Sequence, residues 1–499
     1  MSIDKVRFGA LCRTLSAIDL FGSGPPSPPW GSAPTVSGFR QAIESHQARL
    51  PLAYQAAYVA PVLTHADRIL AEGYAAETIG GAVYDHASSH AIDRPLDRFL
   101  AVISNFYRSF LNARRRAKAA FPIVGDLPPL ATFKHEGAEG PFTIPADEMR
   151  RLCDARVGVV SLPSTYRDHP VLWASLAHET GGHDVLHADE GLLAELASGV
   201  WKLFGGQPIR TGHDLTMPQF QGLLWSYWID EAASDVYGLL NIGPAFALNL
   251  AAFFSALNSE RGQGRPSLRA DSGSDEEGWL DPHPTDLLRL FLAIGVTNAQ
   301  KSLAAGTRRA YADDFAALAD LCAGGARSVR LQGSIPITRD RALNVDTRVS
   351  LGVMQEAAIR VGSYIATARL RTLGKHAIQE IETWDDADEG AASRIAATLR
   401  HGAPISGMGD DAQLLAGATL ALVENPARYG KVTAALNDAL DNSFALDPIW
   451  GKPKTDHAYV RTEIVERYQP RRGWLAQVGS VAPSQRRAAP GRAIAAGGR

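Results

Sequence analysis

The chain has 499 residues, of which 45% are hydrophobic and 21% charged, the composition of a globular protein with a sizeable core and room for about two to four domains. Its formal net charge of -3 and pI near 6.5 exclude a general electrostatic pull toward nucleic acid or an anionic membrane. Three cysteines, Cys12, Cys153 and Cys322, stand far apart and form no CxxC pair, so a reducing, cytoplasmic setting is the simplest expectation.

The leading segment MSIDKVRFGALCRTLSAIDLFG is interrupted by charges before it reaches the length of a signal-peptide core. Gly22–Pro34 is rich in Pro, Gly and Ser and cannot hold a regular helix, so residues 1–35 read as a leader and linker. Residues 36–126 read as a helical N-terminal region, Ala-rich and helix-periodic from Val36 to Phe121. Within it Arg114, Arg115 and Arg116 lack neighbouring aromatics, which fits a solvated helix face better than a nucleic-acid contact.

The pattern changes near Leu127. Thr132–Ile144 and the β-branched run Arg156–Leu162 are the strand candidates, and Asp168 with Pro170 starts a helix that continues through VLWASLAHE. Further helices are expected at Glu190–Phe204, Met217–Leu240, Pro244–Leu257 and Thr285–Val296, with a polar loop over Ser259–Glu277. Pro244–Leu257 is the longest apolar run; it is broken by Asn249 and falls short of the roughly 20 residues that span a bilayer, so no integral membrane segment is expected. Residues 127–300 therefore form the expected central domain and 301–480 a mainly helical C-terminal region. The latter opens on a small hairpin at Ser328–Val345, and residues 481–499 read as a disordered tail.

The chemistry concentrates in His178-Glu179-Thr180-Gly181-Gly182-His183. A hydrolytic zinc site needs three protein ligands, an open position for water and a nearby carboxylate to take a proton. His178 and His183 can serve as ligands and Glu179 as the base. Two histidines four apart share one helix face, about 400° of rotation, but these are five apart and an ideal helix would leave them some 140° apart. The helix must therefore bulge or end, and Gly181 and Gly182 are where it can do so. On an undistorted helix Glu179, His183 and His187 would share a face instead, which makes His187 an alternative ligand.

This segment resembles the HExxGH motif of the dipeptidyl peptidase III family of zinc peptidases. The resemblance implies that His178 and His183 bind zinc, that Glu179 is the catalytic base, and that a Glu some fifty residues later completes the ligand set. Glu231, in Trp228-Ile229-Asp230-Glu231-Ala232-Ala233-Ser234-Asp235, stands in that place. Asp235, one helical turn on, looks like the aspartate that hydrogen-bonds a zinc-bound His in the wider Glu-zincin group. His283-Pro284-Thr285-Asp286-Leu287-Leu288-Arg289 is similar to the HPxxxxR stretch of CAAX-processing proteases, which implies a place near the active site for His283 or Arg289. His283 and Tyr237 are candidate oxyanion donors, and Arg289 is a candidate ion-pair partner behind the ligands.

The expected fold is thus mainly α (α+β), a zincin-like catalytic core with a small β-sheet, flanked by helical regions. The expected activity is peptide-bond hydrolysis with one zinc ion per chain, on a peptide or protein substrate that could pair with the strand Arg156–Leu162. The alternatives are a zincin-fold binding or scaffold protein without turnover and a zinc hydrolase of a non-peptide amide.

Overall fold

The computed structural model describes residues 3–18, 20, 35–47, 50–88, 94–111, 127–134, 140–188, 191–207, 209, 215–259, 265–338, 341–447 and 449–450. The proline-rich linker, the Arg114–Arg116 run and the C-terminal tail lie outside the described residues. The molecule is mainly helical with two small sheets. None of the described helices is long and apolar enough to cross a membrane.

The first helix, α1 (Lys5–Ser16), is started by Asp4, whose carboxylate accepts from the amides of Val6 and Arg7. It buries Phe8, Leu11, Cys12 and Leu15 in the main core, so this stretch is a core element and not part of a leader. Helices α2 (Val36–His46) and α3 (Gly73–Ser88), with the irregular helical segment between them, follow. Then α4 (Arg94–Leu111) buries Leu96, Phe99, Leu100, Ile103, Phe106, Tyr107 and Phe110, the i, i+3, i+4 stripe of a helix facing a core.

The expected strand Thr132–Ile144 holds two strands that run in opposite directions, β1 (Leu130–Lys134) and β2 (Phe142–Ile144). After α5 (Ala146–Cys153) comes β3 (Val159–Pro163), which pairs parallel with β1 and antiparallel with β2 in the order β1-β3-β2. The run Arg156–Leu162 is thus central, with strands on both sides, and has no edge left for a substrate. The edge beside the site is β2.

Two hydrophobic cores result. Phe39, Ile43, Tyr54, Tyr58 and Ile79 of the N-terminal helices share one with Leu130, Ile144, Met149 and Val159. The other runs from α1 and α4 through the rest of the described chain. The expected boundary at residue 126 therefore does not separate two cores.

The helix expected after Pro170 is irregular. Pro170–Ser175 is a 3₁₀ turn, Ala177–Asp184 a π-helix, and α6 (Val185–Ala188) a single α-turn. Helix α7 (Leu192–Leu203) follows. Met217–Leu240 divides into α8 (Met217–Tyr227) and α9 (Ile229–Ile242) at Trp228, whose indole stacks edge-on against Trp225 and donates to the Asp281 carbonyl at 2.9 Å. Next come the buried helix α10 (Ala245–Asn258), the short strand β4 (Asp271–Ser272), α11 (Asp286–Ala299) and α12 (Ala305–Cys322). The hairpin β5 (Ser328–Thr338) and β6 (Arg341–Ser350) is longer than expected and makes a second sheet with β4. Beyond it, α13 (Leu351–Thr367), α14 (Asp386–His401), α15 (Asp411–Glu424) and α16 (Tyr429–Leu446) complete the described chain.

Candidate metal centre

A π-helix closes wider turns than an α-helix through i→i+5 bonds, so residues five apart come onto one face. His178 and His183 do so here: their imidazoles are edge to face, with ring centres 4.8 Å apart. The wide turn lies against α9, and its glycines permit the close approach. A Cβ on Gly181 would fall 2.5 Å from Tyr237 Cδ1, and one on Gly182 would fall 2.3 Å from Ser234 Cβ. The far end is fixed by Asp184, whose Oδ1 accepts from the Ala146 amide at the start of α5.

Helix α9 supplies three carboxylates to this face. Asp235 Oδ1 is 2.9 Å from His178 Nδ1, and Asp230 Oδ1 is 3.1 Å from His183 Nδ1. A carboxylate only accepts, so each Nδ1 carries a proton, and in the neutral imidazole each Nε2 is then left with a lone pair. The two Nε2 atoms are 3.1 Å apart. Glu231 Oε2 lies 3.1 Å from His178 Nε2 and Oε1 3.5 Å from His183 Nε2. Oε2 is buried and makes no hydrogen bond of good geometry among the described residues.

Two facing lone pairs and an unbonded carboxylate oxygen are not a self-satisfied network; a cation between them would satisfy all three. Tetrahedral zinc with bonds near 2.05 Å sets its ligand atoms roughly 3.3 Å apart, in the range observed. The donor set fits the ion. His183, His187 and Asp230 form a second cluster with metal-ligand spacing among the described residues. Its atoms are already paired with one another, His187 Nε2 to Asp230 Oδ2 at 2.9 Å and His183 Nδ1 to Asp230 Oδ1, so it does not share this deficit.

Glu179, the residue after the first imidazole, is nearly buried, and its Oε2 accepts from Thr143 Oγ1 of β2 at 2.9 Å. The Glu179 charge also acts on His183. Glu179, His183 and His187 do not assemble as a ligand set: Glu179 turns to Thr143, and His187 lies between Asp147 and Asp230.

Arg289 forks onto Asp235, Nε to Oδ2 at 2.6 Å and Nη2 to Oδ1 at 2.5 Å. Burial raises the Asp235 carboxyl, but Arg289 and His178 outweigh that and hold it below its ordinary range. His283 reaches the same carboxylate as the His178 and His183 imidazoles, its Nε2 3.3 Å from Glu231 Oε1 and its Nδ1 2.7 Å from Asp281 Oδ1. Burial lowers its pKa, yet the Glu231 and Asp281 charges prevail and bring it up to about 9. The strap carrying His283 is held by Tyr227, whose hydroxyl donates to the Leu280 carbonyl, and by the Trp228 indole.

Tyr237 is the candidate that the structure does not bring to the cluster. Its ring lies beneath Gly181, edge-on to Phe110 at 5.4 Å, and the side chain acts on the buried Glu382 carboxyl. Two residues beyond Asp235 on a helix is about 200° of rotation, which turns it away from the Glu231 and Asp235 carboxylates and against the π-helix glycines. Glu382 accepts from Ser109 Oγ at 2.9 Å. Burial pushes its carboxyl up to about 8, with Asp410 and Asp388 adding to the effect. A folded value above the unfolded 4.5 means that Glu382's contribution to stability is full below that pH and is lost as pH rises through about 8. Between about pH 5 and pH 9, thermal unfolding of Glu382→Gln is therefore expected to depend less on pH than that of the unsubstituted protein, as calorimetry would measure.

Sequence reasoning assigned no role to Asp230, Asp147, Asp281 or Thr143. Asp230 alone had a local signal, being the acidic neighbour of Glu231 on α9. No known protein family, curated protein or solved structure matches this chain.

Proposed function

We propose that the chain is a zinc-dependent peptidase of the Glu-zincin type, with His178, His183 and Glu231 as ligands and Glu179 as general base. The observation that carries this reading is the convergence of His178 Nε2, His183 Nε2 and an unbonded Glu231 oxygen at metal-ligand spacing, each imidazole backed by an aspartate. Bound zinc would acidify a water molecule and polarise the scissile carbonyl. Glu179, steadied by Thr143, takes the proton from the attacking water and passes it to the leaving amine. His283, partly exposed and with its Nε2 3.3 Å from Glu231 Oε1, is a donor for the developing oxyanion. Strand β2, which carries Thr143 at the sheet's edge, offers its backbone to an extended substrate in place of β3.

Purified protein is expected to hold about one zinc per chain and to cleave members of a mixed peptide library, with cleavage lost on chelation and restored by zinc. His178→Ala and His183→Ala are each expected to lose the metal; retention of a full equivalent in both rejects the ligand assignment. One zinc with no cleavage of any peptide would favour a binding protein built on the same site.

A further inference from the structure

The two ligand imidazoles are secured differently. His178 has 8% of its side chain exposed, and its partner Asp235 is clamped by a bidentate arginine. His183 has 17% exposed and follows two glycines, and its partner Asp230, in the first turn of α9, is 41% exposed with no arginine paired to it among the described residues. An exposed carboxylate on a single hydrogen bond would orient an imidazole poorly. His187 supplies the clamp that is missing there. It stands one helical turn after His183, on the same face, and meets the other oxygen of the same carboxylate, Nε2 to Asp230 Oδ2 at 2.9 Å. Its Nδ1 faces Asp147, 3.2 Å from Oδ1 and 3.3 Å from Oδ2. Asp147 lies in the first turn of α5, whose start is pinned to the π-helix by Asp184.

We propose that Asp147, His187 and Asp230 form a positioning chain that fixes His183 in the Nδ1-protonated tautomer and aims its Nε2 at the metal position. The proposal rests on the zinc reading for its purpose, but the tautomer it fixes is a property of the metal-free protein. His187 is a positioning residue and contributes no ligand atom.

The test measures zinc affinity by chelator competition and, at a pH where the imidazole is neutral, the His183 tautomer by ¹H–¹⁵N NMR of the metal-free full chain. His187→Ala is expected to weaken zinc roughly ten- to hundred-fold while one equivalent still binds, and to lose the single His183 tautomer. His187→Gln keeps a donor toward Asp230 and is expected to recover most of both, which separates positioning from a folding defect. Unchanged affinity and an unchanged His183 tautomer in His187→Ala would overturn the proposal. So would a second zinc equivalent in the unsubstituted protein that His187→Ala removes, since His187 would then be a ligand. If the protein binds no zinc the peptidase reading fails, and the metal-free tautomer comparison between His187→Ala and His187→Gln still decides the positioning chain.

Discussion

Replacing Glu179 with Gln is expected to leave zinc bound with little change in affinity and to lower peptide hydrolysis by about 10²–10⁴-fold. The substitution keeps the length of the side chain and an oxygen for the Thr143 hydroxyl, so the surroundings of the π-helix are preserved. What it removes is the capacity to accept a proton. Zinc content by elemental analysis and turnover on a peptide cleaved by the unsubstituted protein give the two readouts. Hydrolysis within a few-fold of the starting level would mean that another group is the base. Loss of zinc would mean that Glu179 belongs to the ligand set.

Gly182→Ala is expected to disrupt the centre without touching a ligand. The added methyl carbon would meet Ser234 Cβ at 2.3 Å and Ser234 Cα at 2.5 Å, and a backbone atom cannot rotate away. Either the π-helix or α9 must shift, at a cost of about 1–3 kcal/mol for overpacking. Glu231, Asp230 and Asp235 all ride on α9, so a shift moves the third ligand and both imidazole partners together. Zinc affinity is expected to fall at least about tenfold, and the chemical-denaturation midpoint with it. Adding Ser234→Gly removes the clash with the serine side chain but leaves the one with the backbone of α9, so rescue should be partial. Gly182→Ala with unchanged zinc affinity would show that the close approach does not position the ligands.

Much of this centre was legible because its signals are local. The five-residue spacing of His178 and His183 demanded a distortion, and the adjacent glycines marked its position; the structure has a π-helix there. Asp235 could be paired with Glu231 because a helical turn is a fixed length. The partners that escaped are brought in by tertiary packing. Thr143 arrives on a strand whose position at the edge of β1-β3-β2 depends on strand order, which alternation along the chain does not encode. Asp281 arrives on a strap anchored by Tyr227 and Trp228. Tyr237 misses the cluster because rotation around α9 carries its ring to Gly181 and Phe110. The same dependence on strand order hid the centrality of β3, whose β-branched run reads alike for an edge or a middle strand.

A π-helical turn is an α-helical turn lengthened by one residue. A chain one glycine shorter, with the ligand positions four apart in a regular helix, would also bring the two imidazoles to one side and leave His187 one turn further on. The extra residue is therefore not required by the metal geometry as such. Its consequence lies in thickness: two consecutive positions without side chains form a shallow saddle in which Ser234 and Tyr237 sit, so the ligand helix rides closer to the imidazoles than ordinary side chains would allow. Insertion and saddle work as one module, and a deletion that regularised the helix would also have to re-seat α9.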